Sequence, residues 1–336
     1  MHQDFNSHPT PGESKAAATQ RNRGPNPNVV GNRSRTTTPQ TRAVSPQPEA
    51  AAGHPWDLAA DGWNRHGPLV GEWLRDATIA MLDAASIGPG SRVLDIAAGA
   101  GDQTLDVARR VGKSGHVLAS DISARSLVLA QEKLHAAGFD RIETRVADAQ
   151  ALDLAGAGFD AAICRLGLMF CCAPLVALCG VRAALRPAGR FSALVFSGPH
   201  ANPCIATLVS TALRHAGLPL ASPATPGTLL SLGQTGLLAD LLDTAGFVDI
   251  EVHAVSAPMR LPSCQHYIDF VRTAGLPIMA ILAPLSASAQ TEAWHDMAAQ
   301  LERFTTPTSW VGPNELLLCS ATRPTSLAEM DHPASA

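Results

Sequence analysis

The chain of 336 residues lacks several of the signatures that would place it early. Its seven cysteines, an odd number, contain no CxxC pair and follow no secretory signal, which points away from a disulfide framework and towards reduced thiols in the cytoplasm. Charged residues make up only 16% and the net charge is -4, so neither nucleic acid nor an anionic membrane surface is favoured as a partner. The stretches 191–213 and 215–239 carry no Asp, Glu, Lys or Arg, yet Pro199, Pro203, Pro219 and Pro226 interrupt them. Neither therefore reads as an integral membrane segment. There is no internal repeat, and Tyr267 is the only tyrosine.

What is present is a hydrophobic fraction of 46%, enough for a substantial globular core. It is not evenly spread. Residues 1–53 are rich in Pro, Thr, Asn, Gln and Arg and show no helical or strand period, so they are expected to be a disordered tail. Six basic residues (Lys15, Arg21, Arg23, Arg33, Arg35, Arg42) oppose three acidic ones there (Asp4, Glu13, Glu49). The prolines count against an amphipathic transit peptide. From Trp56 onward the pattern changes, and Leu69, Trp73, Ala77, Ala80, Met81 and Ala84 fall on one face of a helix expected over 68–85. Gly88-Pro89-Gly90 ends it.

Strands and helices then alternate. Strands are expected at 92–97, 115–120, 141–147, 159–166 and 190–196, with a helix at 124–137 capped by Ser123 and closed by Gly138. A helix at 233–245, a strand at 247–255, some 50 residues of mixed helical character and a last strand at 314–321 follow. Apolar strands alternating with helices predict an α/β fold, a doubly wound and mostly parallel sheet covered on both faces. The expected divisions are the tail 1–53, an N-terminal helical lid 54–90, a core 91–200, a helical cap with closing strands 201–322, and a second tail 323–336.

The core opens on "VLDIAAGAGDQT", residues 93–104, where an apolar strand reaches an acid, breaks into small residues and restarts as a helix. Such a break brings backbone N–H groups and a positive helix end up to a ligand. Asp95 lies at the strand end, and Gly99 and Gly101 allow close backbone approach. Asp121 ends the second strand twenty residues after Gly101, where a carboxylate can take both hydroxyls of a ribose. Asp148 ends the third, where it and the N–H of Ala149 can read an adenine edge. Three acids at the carboxyl ends of three successive strands fit one nucleoside lying across a doubly wound sheet.

Over about 57–322, and specifically over 91–196, the sequence resembles class I S-adenosylmethionine-dependent methyltransferases, particularly the ubiquinone/menaquinone methylase-like branch. "VLDIAAGAGDQT" is similar to the family's first motif, "SDIS" to its ribose acid, "ADAQAL" to its adenine loop, "FDAAICRLGLMF" to its strand-four motif and "LRPAGRFSALVF" to the turn into strand five. The resemblance implies S-adenosyl-L-methionine as cofactor and a seven-stranded Rossmann-like sheet with an antiparallel last strand. It also implies Asp95, Ala97, Gly99, Gly101, Asp121, Ile122, Asp148, Ala149 and Arg165 as cofactor-binding residues, with Gly99, Gly101 and Arg165 at the methionine end. Ala97 and Ala188 stand where the family has glycine, and "CCAP" follows Phe170 where a polar pair is common.

Methyl transfer needs alignment of a nucleophile and exclusion of water, with a general base if the acceptor is a hydroxyl. His66 and His200 are the candidate bases, although either can be a surface or capping histidine. Trp63, Trp73 and Trp310 are lid candidates or core residues. The uncharged stretch 191–239, with Leu208, Val209, Leu213, Leu218, Leu229 and Leu230, suggests an apolar acceptor pocket or equally a packed cap or homodimer face. The expected function is methylation of a small hydrophobic or aromatic acceptor, quinone-like or a secondary metabolite. An NAD(P)-dependent oxidoreductase is the alternative, against which Thr104 stands where GxGxxG requires glycine, and a non-catalytic cofactor-binding partner protein is another. A soft-metal site from Cys164, Cys171 and Cys172 is a weaker thought, and no metal is expected.

Overall fold

The computed structural model describes residues 53–220 and 222–325, so the two expected tails lie almost wholly outside the described residues. The strands are β1 (Arg92–Ile96), β2 (His116–Asp121), β3 (Glu143–Val146), β4 (Phe159–Arg165), β5 (Leu185–Phe196), β6 (Val248–Ser256), β7 (Met259–Leu261), β8 (Trp310–Gly312) and β9 (Glu315–Thr322). The first six helices are α1 (Asp57–Arg65), α2 (Gly67–Trp73), α3 (Arg75–Ala84), α4 (Asp102–Val111), α5 (Ala124–Ala136) and α6 (Pro174–Ala184). They are followed by α7 (Pro203–His215), α8 (Leu237–Thr244), α9 (Cys264–Ala274), α10 (Leu276–Leu282) and α11 (Ala287–Leu301).

Seven strands form one sheet in the order β3-β2-β1-β4-β5-β9-β6. Pairs from β3 to β5 are parallel, and β9 runs antiparallel to both neighbours, as expected for the last strand. Val93 and Leu94 at the centre are fully buried because helices cover both faces. The order reverses between β1 and β4, which opens a crevice at their carboxyl ends.

The expected helix over 68–85 is instead α2 and α3, broken at Leu74, and Pro68 sits in the first turn of α2, where its missing N–H costs nothing. The apolar face survives the break, since Val70, Leu74, Ala77 and Met81 are buried. In α5, Ser123 Oγ accepts from Ser126 N–H at 3.0 Å. At the other end Gly138 adopts φ +80°, while Phe139 N–H donates to Leu134 and Gly138 N–H to His135, both at 2.9 Å.

The pair β7–β8 is an addition to the expected elements, and three-residue strands are too short to leave a period. Within it Trp310, the first residue of β8, is fully buried, donates its Nε1–H to the Leu301 carbonyl at 2.9 Å and stacks on Tyr267 with centroids 4.7 Å apart. Trp73 donates to the Ala257 carbonyl at 2.7 Å and stacks on Phe196. Both are packing residues, and a lid role for either is corrected accordingly. In α7, Leu208 and Leu213 turn inward where the helix packs on α10 and α11. Among the described residues no helix is long and apolar enough to cross a membrane.

Candidate cofactor site

A cavity of about 330 Å³ lies at the carboxyl ends of β1 to β4. The chain leaves β1 through Ala97, Gly99 and Gly101, all with positive φ (+55°, +57° and +86°), and enters α4. The turn is held from the next strand: Asp121 accepts from Gly99 N–H through Oδ2 and from Ser123 N–H through Oδ1, each at 2.8 Å. Burial raises the Asp121 pKa against those two backbone hydrogen bonds, which favour its charge. Asp148 Oδ1 accepts from Gln150 N–H at 2.8 Å and so fixes the short turn over 149–151. Arg165 donates from Nη1 to Thr78 Oγ1 at 3.0 Å. Its desolvation lowers the guanidinium pKa, while Asp102 and Asp95 oppose that.

Of the residues expected at the cofactor, Ala97, Gly99, Asp121, Ile122, Asp148, Ala149 and Arg165 line the cavity, whereas Asp95 and Gly101 do not. Asp95 is fully buried beneath the turn, accepting from Gln103 Nε2 at 2.8 Å and Thr104 Oγ1 at 2.6 Å. Burial pushes its pKa up to about 6 in spite of those bonds. Gly101 serves helix packing, because a Cβ there would fall 2.9 Å from that of Ala130 on α5. Ala97 holds a left-handed backbone that favours glycine, and Gly167 makes room for its methyl, since a Cβ at Gly167 would sit 2.3 Å from it.

Neither candidate base lines the cavity. His66 Nε2 pairs with Thr273 Oγ1 at 3.1 Å and its ring meets Phe270 edge-on; burial first, and Arg65 second, lower its pKa. His200 is exposed in the turn after β5. Trp63 is a lining residue. None of Leu208, Val209, Leu213, Leu218, Leu229 and Leu230 lines this cavity; Leu208, Leu213 and Leu230 are buried in packing, while Leu218 is exposed. Cys171 and Cys172 line the wall, but among the described residues no group of three His, Cys, Asp or Glu side chains is arranged for a metal. Burial pushes the Cys171 thiol up to about 12 and that of Cys164 further, which keeps both protonated.

Several lining residues carried no sequence signal, His54, Trp56 and Gln103 among them. His54 and Trp56 precede the first helix and have no period to belong to, and Gln103 meets Asp95 only through the folded turn. The segment 54–65 is clamped over the cavity: Asp57 Oδ1 accepts from Ser123 Oγ at 2.6 Å and Arg125 N–H at 3.2 Å, and Arg125 pairs with Asp61 at 2.7 Å. Trp56 meets the Phe170 ring edge-on at 4.7 Å across the opening.

Residues 73–210 match the model of the ubiE/COQ5 methyltransferase family. The ubiquinone/menaquinone biosynthesis C-methyltransferase UbiE of Teredinibacter turnerae is 37% identical over 119 residues, 35% of this chain and 48% of the relative. That of Hahella chejuensis is 38% identical over 125 residues, 37% of this chain and 50% of the relative. The chain thus spans about half the length of these UbiE relatives. The YcgJ protein of Bacillus subtilis superposes with a TM-score of 0.52 at 14% identity, covering 75% of this chain and 100% of that one, which establishes the shared fold. The match supports the resemblance to class I methyltransferases of the ubiquinone/menaquinone type that the motifs carry, and the matched segment encloses every cofactor residue expected from them.

Proposed function

We propose that the protein is an S-adenosylmethionine-dependent methyltransferase acting on a small, apolar, quinone-like acceptor. The observation that carries this reading is the buried carboxylate of Asp121, 9% exposed at the cavity wall. Its oxygens accept from the Gly99 and Ser123 N–H groups, with Ile122 N–H adding a weaker backbone contribution, and a carboxylate's roughly four lone-pair sites leave acceptor capacity for a ligand hydroxyl pair. That capacity fits a ribose. Asp148 with Ala149 then serves the adenine, and the wall formed by Ala97, Gln103 and Arg165 serves the amino-acid end. The match to the ubiE/COQ5 family over 73–210 supports the same assignment.

S-adenosylmethionine supplies a methyl group already activated on a sulfonium, so no protein nucleophile is required. The chain's own contribution is alignment and dryness, and positioning of this kind supplies roughly 7–11 kcal/mol in favourable cases. Trp63, Leu74, Ile96 and Leu166 give the cavity an apolar section suited to a flat acceptor. The segment 54–65, pinned through Asp57 to Ser123 and Arg125, acts as the lid. His54 is the one imidazole among the described lining residues and faces the Asp121 side, so acceptor activation is not assigned to His66 or His200. A cytoplasmic location and the absence of a nucleic-acid partner belong to this reading; seven free cysteines support the first.

The test is transfer of a labelled methyl from S-adenosylmethionine to a panel of quinols, phenols and charged amines. Turnover of apolar aromatic acceptors is expected. Turnover confined to charged, polar acceptors would overturn the acceptor assignment.

A further inference from the structure

Gln103, in the first turn of α4, is 2% exposed and lines the cavity. Its Nε2 donates to Asp95 Oδ1 at 2.8 Å and to the Ala97 carbonyl at 3.4 Å. A carboxylate and a carbonyl are acceptors only, so the amide has a single satisfactory orientation, with nitrogen inward and Oε1 turned away from Asp95. Among the described residues no donor reaches Oε1, and it is not sealed in the core. A buried side chain thus offers the cavity one free acceptor. Asp95 cannot turn either, because Thr104 Oγ1 holds its second oxygen at 2.6 Å. Arg165 stands on the same wall with donors and a positive charge. A ligand end bearing both an ammonium and a carboxylate finds one complement in each side chain.

We infer that Asp95 and Gln103 work as a pair that reads the α-ammonium of the cofactor's amino-acid end, Gln103 Oε1 accepting its hydrogen bond and Asp95 acting as the positioning residue that locks the amide. The inference rests on the cofactor reading above and adds to it a residue outside the expected motif contacts. Asp95→Asn should release the lock. The Thr104 hydroxyl can donate or accept, so the introduced amide no longer fixes which of its atoms faces Gln103, and the Gln103 amide is free to turn its donors towards the ammonium. Asp95→Asn combined with Gln103→Glu should restore an acceptor, since one oxygen of the introduced carboxylate takes the N–H of the introduced amide and the other faces the cavity.

Calorimetric titration with S-adenosylhomocysteine and with 5′-methylthioadenosine, which has the nucleoside and thioether but no amino-acid end, tests this. Wild type should bind the first more tightly. Asp95→Asn should weaken S-adenosylhomocysteine by roughly 10- to 100-fold and methylthioadenosine by no more than about twofold, with most of the loss recovered in the double variant. Equal weakening of both ligands, or no weakening of S-adenosylhomocysteine by Gln103→Leu, overturns the pair while leaving the cofactor reading intact. A wild type that binds neither ligand overturns both. Thermal melts establish that each variant is folded; if Asp95→Asn is not, Gln103→Leu must show the same selective loss.

Discussion

Two buried polar regions of this molecule behave differently. At the junction of β5, α7 and β9, Asn202 is fully buried and saturated: Nδ2 donates to Ser197 O, Gly198 O and Glu315 O at 3.0–3.2 Å, and Oδ1 accepts from Glu315 N–H at 3.1 Å. Trp310 nearby spends its single donor on Leu301. At the carboxyl ends of β1 and β2, Gln103 and Asp121 are almost as deeply buried yet keep acceptor capacity facing a cavity. Saturation marks a joint in the fold, and unspent capacity marks a place where a ligand completes the hydrogen bonding.

That contrast can be attacked from both sides. The largest effect should come from Trp310→Ala, which removes a stacked, fully buried indole and should cost about 3–5 kcal/mol in chemical denaturation, without discriminating among ligands. Asn202→Ala strands several carbonyls and one N–H and should cost about 2–3 kcal/mol, again with ligand affinity unchanged in the folded fraction. Asp121→Asn should differ in kind, weakening S-adenosylhomocysteine roughly 10- to 100-fold in the folded fraction, with some loss of melting temperature because its amide nitrogen faces one of the two backbone N–H groups the carboxylate accepts. If Asn202→Ala changed ligand preference, or Asp121→Asn only stability, the contrast would collapse. Smaller still, Ala97→Gly relieves a left-handed alanine and should stabilise by about 0.5–1 kcal/mol with affinity kept within about twofold.

The acids give a pH counterpart. Asp95, with its pKa pushed up to about 6, binds a proton in the folded state before the unfolded chain does. Its contribution therefore makes the fold more stable as pH falls from about 7 towards 4, and Asp95→Asn should flatten that part of the stability profile. Asp296 is held down to about 2 by His215 and Arg214, with Gln300 adding a further bond. Its contribution is present above about pH 4 and lost as pH falls through about 2, so Asp296→Asn should matter near neutrality and not in strong acid. Urea melts of the two variants in strong acid, at the midpoint of the Asp95 titration and near neutrality separate the signs.

Much of this was legible in the sequence for physical reasons. Strands β1, β2 and β4 are apolar runs stopped by small or charged residues, and their observed limits fall within one residue of those expected. Asp121 and Asp148 were visible because a loop acid after a strand has a local signature. The start of β5 at Leu185 was not, because Pro187 and Ala188 at φ +59° lie within it. Leu74 breaks a helix without interrupting its apolar face. Gln103 and the lid contact of Asp57 with Ser123 depend on pairings across the fold, for which a residue's own neighbours carry no mark. The two histidines were placed near the site by position alone, and packing on α9 or exposure beyond β5 removed them from it.

The central claim is that the cavity holds an adenosyl amino acid through Asp121. Calorimetry with S-adenosylmethionine on wild type and Asp121→Ala, with NAD as the control ligand and melts to confirm folding, tests it most directly. Micromolar binding by wild type, lost in the variant and absent for NAD, is the predicted result. A folded wild type that ignores S-adenosylmethionine, or that takes NAD instead, would contradict it.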